Sequence, residues 1–460
     1  MKVLLIRANP TVVENTRLPK SLSKEVGFVP PIGLASIAAF LRTHGTQVGI
    51  IDAEAEQISL EQIRRRILRF EPEVVGITSM TPTVHDDLAV AKLAKACGAY
   101  TVVGGPQMNA MPSETLSYPF VDFGIRGEGE LPMWQLVQAL DQQSPFKEVP
   151  GLVYRDPNGA LLMNPPYIHP DLDILPFPDR DLLPMERYSA IIAEGKMTTV
   201  CPGRGCPFQC SFCFKQPSDK TVRFRNPQLV VDEIEQIIAQ YQIQEIDLVS
   251  DTLTINRSFI QAFCEELIRR KMKISWIAPT RADCVDLDLL KLMKQAGCRN
   301  LRFGIESGSS VILKRMHKET NQDTIFQAFQ WAKEVGIETF AYFIIGYLGE
   351  TEETIQETLD FIDKIKPDLL MFNEGLPLPA TPLFRQAVEA GFVAPDYWER
   401  YVKGEPIGRI PYLFKDTDQW IRKAYRRFFF SRRFLMKQLL NFRFKMVGKY
   451  FKALYGLLRL

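Results

Sequence analysis

Short apolar runs alternate with amphipathic segments along roughly the first 140 residues of the chain. The runs typical of buried strands are VLLI (3–6), VGIID (48–52), VVGIT (74–78) and YTVVGG (100–105). The segments with apolar residues at helical spacing are 33–44, 60–70 and 84–96. β-Branched runs separated by helices are typical of a parallel sheet that is covered on both faces. The pattern therefore predicts an α/β fold that begins with a doubly wound, flavodoxin-like parallel sheet.

A second alternation follows a proline-rich connection. Residues 154–162 (YRDPNGALL) predict a hairpin, and six prolines between 163 and 184 predict an extended strap between domains. Beyond it, strands are predicted at 198–201, 245–250, 273–277, 300–306, 339–345 and 369–373, and helices at 232–241, 257–271 and 322–335. About six strand–helix units predict a partial (β/α)6 barrel. We therefore expect four regions, at 1–145, 146–195, 196–400 and 401–460.

The composition is that of a globular chain with two or three domains. Of its 460 residues 46% are hydrophobic, and no run of 18 uninterrupted apolar residues predicts a membrane span. The opening run MKVLLIRANP is too short for a signal peptide and predicts a first strand instead. Eight cysteines are too few for a disulfide scaffold, and their clustering favours metal or redox chemistry in a reducing cytoplasm.

Charge is unevenly distributed along the chain. Residues 419–460 contain twelve Lys or Arg and no Asp or Glu, which leaves 44 basic and 54 acidic residues in the rest. Aromatic and aliphatic residues alternate with the basic ones at roughly helical spacing, so the sequence predicts a basic amphipathic helical tail. Such a tail can pack on the acidic body, lie peripherally at the inner face of a membrane, or bind nucleic acid. We favour the first two readings and expect no nucleic-acid partner.

Three loops follow the predicted strands of the first sheet. They are TSMTPT (78–83), GGPQMN (104–109) and RGEGE (126–130), and all are small, Gly-rich or polar. Doubly wound sheets bind ligands beyond the carboxyl ends of their strands. The loops therefore predict a shelf for a large flat or extended ligand, although many flavodoxin-like domains have similar loops and bind nothing.

The stretch CPGRGCPFQCSFCF (201–214) places Cys206, Cys210 and Cys213 in C-x-x-x-C-x-x-C spacing. Three thiolates on one short loop can hold three corners of a cuboidal iron–sulfur cluster and leave the fourth iron for another ligand. Structural zinc is the alternative, with Cys201 as a fourth ligand. The spacing lacks the second C-x-x-C pair of zinc fingers. We therefore favour the cluster and expect Cys201 to be a strand-end residue.

This loop, which follows a strand, opens a six-unit barrel and has the aromatic Phe212 before its third cysteine, resembles the radical S-adenosylmethionine (SAM) superfamily. A narrower resemblance rests on PPIGLASIAAFLRTHGTQVGIID, GGPQMNAMPSE, GIRGEGE, LDILPFPDRDLLP and RGCPFQCSFC. Together these segments are similar to the cobalamin-binding radical SAM enzymes, which include C-methyltransferases and the anaerobic Mg-protoporphyrin monomethyl ester cyclase. The resemblance covers about residues 1–400.

The resemblance implies that Cys206, Cys210 and Cys213 hold a 4Fe–4S cluster whose open iron binds SAM. An external one-electron donor of the flavodoxin or ferredoxin type would supply the electron that cleaves SAM to a 5′-deoxyadenosyl radical. The implied SAM-binding residues are Phe212, Ser250, Asp251, Thr252, Arg281, Glu306, Ser307, Ile345 and Gly346. Asp251 would meet the methionine amino group and Arg281 its carboxylate, because opposite charges pair there. The other reading of the polar residues in this set is a solvated loop or a helix cap.

The shelf would bind cobalamin in the same reading. The implied residues are Thr78, Ser79, Thr81, Gly104, Gly105, Pro106, Gln107, Gly127, Glu128, Gly129 and Glu130. No Asp-x-His-x-x-Gly motif is present, so the cobalt is expected to be base-off without an imidazole ligand. Gln107 stands where relatives often have His. Cys97 is the only cysteine before residue 150, which argues against the methylthiotransferases and against a tRNA substrate.

The function implied is methyl transfer from methylcobalamin to an unactivated carbon after the 5′-deoxyadenosyl radical has taken a hydrogen atom. A radical oxidative cyclase or rearrangement enzyme would use the same cofactors, and a non-catalytic cobalamin or iron–sulfur redox sensor is an alternative of another class. We expect a cytoplasmic enzyme with a small-molecule substrate, hydrophobic or lipid-like if the tail contacts a membrane.

Overall fold

The computed structural model describes residues 1–11, 27–189, 195–215 and 221–440, with side chains as far as residue 437. The strands of the first sheet are β1 (Lys2–Arg7), β2 (Gln47–Asp52), β3 (Val74–Thr78), β4 (Tyr100–Gly104), β5 (Phe123–Ile125), β6 (Leu152–Arg155) and β7 (Leu161–Met163). Their order in space is β2-β1-β3-β4-β5-β6-β7, and β1 to β5 are parallel. The parallel part has the flavodoxin-like order that the sequence predicts, and this fold binds ligands where the order reverses, beside β1 and β3.

Helices cover both faces of this sheet and form the N-terminal domain with it. They are α1 (Ile32–Thr43), α2 (Ala53–Glu56), α3 (Leu60–Phe70), α4 (Val84–Ala96), α5 (Pro106–Ala110), α6 (Pro112–Leu116) and α7 (Glu130–Gln142). The side chain of Ser59 and that of Gln62 form a reciprocal capping box at the start of α3. Ile63 and Ile67, one turn apart, are the buried face of the same helix.

The predicted hairpin is part of the first sheet. β6 pairs antiparallel with β5, and β7 pairs antiparallel with β6. The sequence predicts the hairpin itself but not the sheet with which it pairs. It joins the sheet because the three-residue β5 would otherwise leave an unpaired edge, and added strands satisfy those backbone groups.

A second sheet forms the barrel domain. Its strands are β8 (Met197–Val200), β11 (Glu245–Leu248), β12 (Ser275–Thr280), β13 (Cys298–Glu306), β14 (Glu338–Ile345) and β15 (Leu369–Glu374), while β9 (Gly203–Arg204) and β10 (Arg223–Phe224) make a separate antiparallel ribbon. The six strands are parallel and follow one another in chain order. All six predicted strands are present, and β8 and β15 are the open edges of a partial barrel.

In the described part of the chain, ten α-helices belong to the region that contains this sheet. They are α8 (Pro227–Tyr241), α9 (Arg257–Arg269), α10 (Leu287–Gln295), α11 (Ser310–Arg315), α12 (Gln322–Val335), α13 (Glu352–Ile365), α14 (Pro382–Glu389), α15 (Tyr397–Val402), α16 (Thr417–Phe429) and α17 (Arg432–Leu440). Trp276 and Phe303 are fully buried between strands and helices. The two domains also share a core, because Val84 and Leu88 of α4 lie in one apolar cluster with Tyr347 of the barrel.

The first part of the basic tail packs on the barrel. Ile421 and Tyr425 of α16 belong to the main core, and the Tyr425 hydroxyl accepts a hydrogen bond from the Phe372 N–H at 3.0 Å. Arg427 pairs with Asp360 at 2.7 Å. This agrees with the packing alternative for α16. Residues 441–460 lie outside the described residues, so contact with a membrane stays a prediction. Within the described ranges, no helix combines the length and the apolar character needed to span a membrane.

Candidate functional site

The cysteine loop is closed at its neck by the ribbon β9–β10. Arg204 on β9 pairs directly with Arg223 on β10, and the loop between them carries Cys206, Cys210 and Cys213. It follows β8, so it begins at the carboxyl edge of the second sheet. Polar residues at this edge are the usual site of chemistry in parallel barrels.

Neighbouring elements hold the loop in place through Ser211. Its N–H donates to the Met316 carbonyl at 3.0 Å, and its hydroxyl lies 2.6 Å from the Tyr347 hydroxyl. Its carbonyl accepts from the Leu383 N–H at 2.9 Å. Because Ser211 lies between Cys210 and Cys213, these bonds fix the backbone that presents both thiols.

The donor set suits a cluster better than a single metal ion. Among the described residues, no group of His, Cys, Asp and Glu is arranged to hold one ion. All eight cysteines are described and free of disulfides. Cys201 follows β8 and its thiol donates weakly to the Gly203 carbonyl at 3.5 Å, which fits a strand-end residue. Three free thiols on one loop are the ligand types that a 4Fe–4S cluster requires, and the loop offers no second C-x-x-C pair for a zinc site.

Two cationic side chains, Arg281 and Lys318, lie near the buried Cys210 thiol. The Arg281 guanidinium lies 3.6 Å from the centre of the Phe208 ring, and its Nη1 is 4.0 Å from the Cys210 sulfur. Burial raises the pKa of Cys210, although Lys318 and Arg281 oppose the rise. Burial also raises the pKa of Cys213 to about 12. Burial therefore opposes ionisation of both thiols, and binding of a metal to such thiols releases their protons.

Glu306 meets Lys318 in a strained part of the backbone. Lys318 Nζ donates to Glu306 Oε1 at 2.9 Å, and both residues are buried. Glu306 has φ of 69°, at a bulge where β13 ends, and His317 and Glu319 have φ of 52° and 50°. Left-handed backbone at non-glycine residues costs free energy and persists where the surroundings impose it, commonly at functional sites. Glu306 was a sequence candidate, but Lys318 was missed, because nothing in its loop sequence marks it.

Other predicted SAM residues lie nearby. Asp251 Oδ2 accepts the Gly205 N–H at 3.0 Å, so this carboxylate already supports the cysteine loop. Thr252 is buried and its hydroxyl donates to the Asp251 carbonyl. Arg281 donates to Asp283 and to the Lys318 carbonyl at 2.6 Å.

Four predicted SAM residues serve the scaffold as well. Ser307 is fully buried and contacts the Thr358 hydroxyl at 3.1 Å. The Ile345 carbonyl accepts the Gly375 N–H, and the Gly346 N–H donates to Glu350 Oε2. Phe212 packs on the cluster shared by the two domains. Their backbone and side-chain groups are therefore engaged within the chain.

A cavity of about 510 Å³ lies between the carboxyl edges of the two sheets. Its apolar floor includes Leu5, Ile77 and Val102 of the first sheet, and Ser250 and Asp251 of the barrel form part of the opposite wall. Glycines 76, 104, 105, 127 and 129 keep the wall on the side of the first sheet free of side chains. A smooth apolar floor with polar groups at its rim fits a broad organic ligand such as a corrinoid.

Seven of the eleven predicted shelf residues line this cavity: Thr78, Gly104, Gly105, Gly127, Glu128, Gly129 and Glu130. Pro106 is exposed at the start of α5. Ser79, Thr81 and Gln107 are buried beneath the cavity wall instead. The Gln107 amide accepts from the Thr81 hydroxyl at 2.7 Å and donates to Thr115 at 3.1 Å. Gln107 therefore supports the shelf from beneath and is not part of the cavity lining.

The two carboxylates of the RGEGE segment do not stand free in the cavity. Glu130 accepts from Arg204 at 2.6 Å, and Glu128 accepts from Arg223 at 2.6 Å. No histidine is among the described residues that line the cavity, so its described wall offers no imidazole to a corrinoid.

Comparison with known proteins gives a consistent result. The model of the radical SAM superfamily matches residues 200–362, and that of the B12 binding domain matches residues 22–137. An uncharacterized methyltransferase of Pyrococcus horikoshii is 32% identical, over 100% of this chain and 98% of its own. An anaerobic magnesium-protoporphyrin IX monomethyl ester cyclase of Rubrivivax gelatinosus is 33% identical, over 88% of this chain and 75% of its own.

A solved structure has the same architecture. The radical SAM methyltransferase TsrM of Kitasatospora setae, with cobalamin and a [4Fe–4S] cluster bound, superposes with a TM-score of 0.68 at 18% identity. The match covers 85% of this chain and 75% of that one. At this identity the likeness is one of fold. The two relatives above 30% identity, the cysteine loop and the shelf lead with it to one conclusion: the chain belongs to the radical SAM superfamily, and its N-terminal domain is a B12-binding domain.

Proposed function

We propose that this radical SAM enzyme transfers a methyl group to an unactivated carbon of a small-molecule substrate. Its cofactors are a 4Fe–4S cluster, SAM and cobalamin. The observation that carries the proposal is the cavity between the carboxyl edges of both sheets, which Gly104 and Glu128 line from one domain and Ser250 and Asp251 from the other. A radical generator and a methyl donor must act on the same carbon, so their sites must face a common volume.

The residues of the chain bind and orient in this scheme. Cys206, Cys210 and Cys213 would hold the cluster, and the glycine-rich wall of the shelf would hold cobalamin. When bound, the cluster supplies the electron that cleaves SAM to a 5′-deoxyadenosyl radical, and cobalamin supplies the methyl group. Arg281 and Lys318 place positive charge beside the Cys210 thiolate, which lowers the cost of burying it.

Substrate polarity can be inferred from the concave face of the second sheet. Arg302 pairs with Asp247 at 2.9 Å there, and Tyr342 and Met371 lie on the same face and are partly exposed. A surface that combines an ion pair, a hydroxyl and a thioether fits a substrate with both polar and apolar parts. Metabolite comparison in a deletion strain should therefore extend beyond the lipid fraction.

The proposal is tested by counting products of anaerobically reconstituted protein. With reductant and SAM, wild-type protein should form 5′-deoxyadenosine, and Cys210→Ala should form none while it keeps the cobalamin absorption. Cys97→Ala, at the end of α4 in the N-terminal domain, is the matched control and should behave as wild type. Cleavage of SAM by Cys210→Ala would refute the ligand assignment.

Oxidative cyclisation is the second candidate, because the cyclase of Rubrivivax gelatinosus is 33% identical over 88% of this chain. Methylation forms S-adenosylhomocysteine beside 5′-deoxyadenosine, since a second SAM renews the methyl group on cobalamin. Cyclisation forms 5′-deoxyadenosine without S-adenosylhomocysteine. A substrate-dependent yield of 5′-deoxyadenosine without S-adenosylhomocysteine would therefore overturn methyl transfer in favour of the cyclase. The non-catalytic sensor finds no support in the relatives.

The partners complete the proposal. An external electron donor is required, and we infer one of the flavodoxin or ferredoxin type in the cytoplasm. Peripheral membrane contact would fall to the tail after α16, because the apolar face of α16 itself is buried. Sedimentation with anionic vesicles checks this, and protein that stays in the supernatant at low salt would refute it.

A further inference from the structure

Four charged residues join the neck of the cysteine loop to the N-terminal domain. Arg204 Nη2 lies 2.6 Å from Glu130 Oε1, and its Nη1 lies 3.3 Å from Glu128 Oε2. Arg223 Nη2 lies 2.6 Å from Glu128 Oε1. Arg204 and Arg223 are direct partners across the ribbon, so they leave the same face of the neck. We call these four residues the neck clamp.

The clamp is largely withdrawn from water. The side chain of Arg204 is 24% exposed and that of Glu130 is 3% exposed. Burial alone raises the pKa of Glu130, but Arg204 outweighs it and lowers that pKa below its ordinary value. Glu128 is also held by its own domain, because Oε2 accepts the His169 N–H at 2.7 Å. Charges buried in this way are costly to separate, since each partner would be left uncompensated.

The clamp acts on both cofactor sites at once. Glu128 and Glu130 belong to the cavity wall that follows β5. On the other side, only Gly205 separates Arg204 from Cys206, and the Gly205 N–H is held by Asp251. Movement of the clamp would therefore displace the first cluster ligand relative to the shelf.

We propose that the neck clamp is a positioning device that fixes the distance between the cluster on the cysteine loop and the corrinoid on the shelf. The proposal rests on the proposed function, in which a radical formed at one centre must be quenched by a methyl group from the other. Small misplacements of reacting groups cost large factors in rate. Arg204 is then a positioning residue. The RGEGE segment, which belongs to the resemblance with cobalamin-binding enzymes, contributes two carboxylates that bind arginines of the cysteine-loop neck.

Pulsed electron paramagnetic resonance tests the proposal without a substrate. The reduced cluster and cob(II)alamin each carry unpaired spin, so their dipolar coupling reports the distance between them. Wild-type protein loaded with both should give one narrow distribution. Arg204→Met should broaden it, and Arg204→Lys should give an intermediate width because lysine cannot pair in a bidentate manner. Glu130→Gln together with Arg204→Met should be no broader than Arg204→Met alone.

The control is Arg257→Met, which removes an arginine paired with Asp286 inside the barrel domain and should leave the distribution unchanged. Iron content and cobalamin absorption of each variant are measured first. If wild-type protein binds neither cofactor, the proposed function fails. If Arg204→Met binds both and keeps the wild-type distribution, the clamp proposal fails and the proposed function stands. A variant that unfolds is replaced by Glu130→Gln alone, for which the same broadening is expected and an unchanged width is refuting.

Discussion

Replacement of Lys318 by Met should destabilise the barrel domain strongly. The change leaves the Glu306 carboxylate buried without its partner, since the two side chains are only 7% and 10% exposed and lie 2.9 Å apart. Removing one partner of a buried ion pair costs about 3–5 kcal/mol, because the remaining charge is uncompensated. For a domain of this size that is a fall in melting temperature of about 10 °C.

The matched control is Lys403→Met. Lys403 pairs with Glu399 at 2.7 Å, but these side chains are 47% and 48% exposed. Water screens exposed pairs of this kind and leaves them little net effect on stability, so the control should melt close to wild type. Both variants remove the lysine charge from an ion pair of similar length, and the two pairs differ in how deeply they are buried.

The assay is thermal unfolding followed by circular dichroism at one pH and salt concentration. Lys318→Met combined with Glu306→Gln should recover part of the loss, because no buried charge is then left unpaired. The reasoning is refuted if Lys318→Met has the same melting temperature as Lys403→Met. It is also refuted if the double variant is less stable than Lys318→Met alone.

Three further predictions concern the shelf and the tail. Burial raises the pKa of Asp87 from 3.8 to about 7, so its contribution to stability is present below pH 4 and is lost as the pH rises towards 7. The free energy of unfolding of Asp87→Asn should therefore rise by up to about 4 kcal/mol relative to that of wild type between pH 4 and pH 8. Equal melting profiles of the two proteins against pH would contradict this. A Cβ at Gly127 (φ 86°) would lie 2.2 Å from the Tyr167 carbonyl oxygen, whereas one at Gly98 (φ 90°) would meet nothing within 4 Å. Gly127→Ala should cost about 3 kcal/mol or more, and Gly98→Ala about 1 kcal/mol from backbone strain, and similar melting temperatures would exclude the clash. Tyr425→Phe should cost about 1–3 kcal/mol in urea unfolding, because the buried Phe372 N–H loses its acceptor, and an unchanged midpoint would show that water replaces the hydroxyl.

The hydrophobic periodicity predicted strands and helices well where burial alone determines which residue types occupy the positions. β3 and α3 have the predicted bounds, because a parallel strand covered on both faces is a continuous apolar run and an amphipathic helix repeats its buried face. The three cysteines could be identified as candidates because they lie together in one short loop, and their role as cluster ligands stays a prediction. The pairing of hairpin β6–β7 with the first sheet could not be predicted, because it depends on which sheet edge is left unpaired, and this is a tertiary property.

The polar part of the site could be predicted only in outline. The RGEGE segment was recognised, yet its carboxylates pair with arginines that lie far along the chain, and no local pattern indicates this. Lys318 reaches Glu306 from the loop after α11, twelve residues further on. The sequence predicts Gln107 as a cobalamin-binding residue of the shelf, whereas its side chain is fully buried. In each case the partner is chosen by packing between elements.

The order of these parts along the chain has a consequence for biogenesis. Domains generally fold as they leave the ribosome, amino-terminal units first. Glu128 and Glu130 are therefore made before Arg204 and Arg223, and the finished first sheet can act as a template on which the nascent ribbon docks. The last barrel strand, by contrast, receives the contact of Tyr425 with Phe372 only when α16 has been translated, so the neck clamp can form while the barrel is still incomplete.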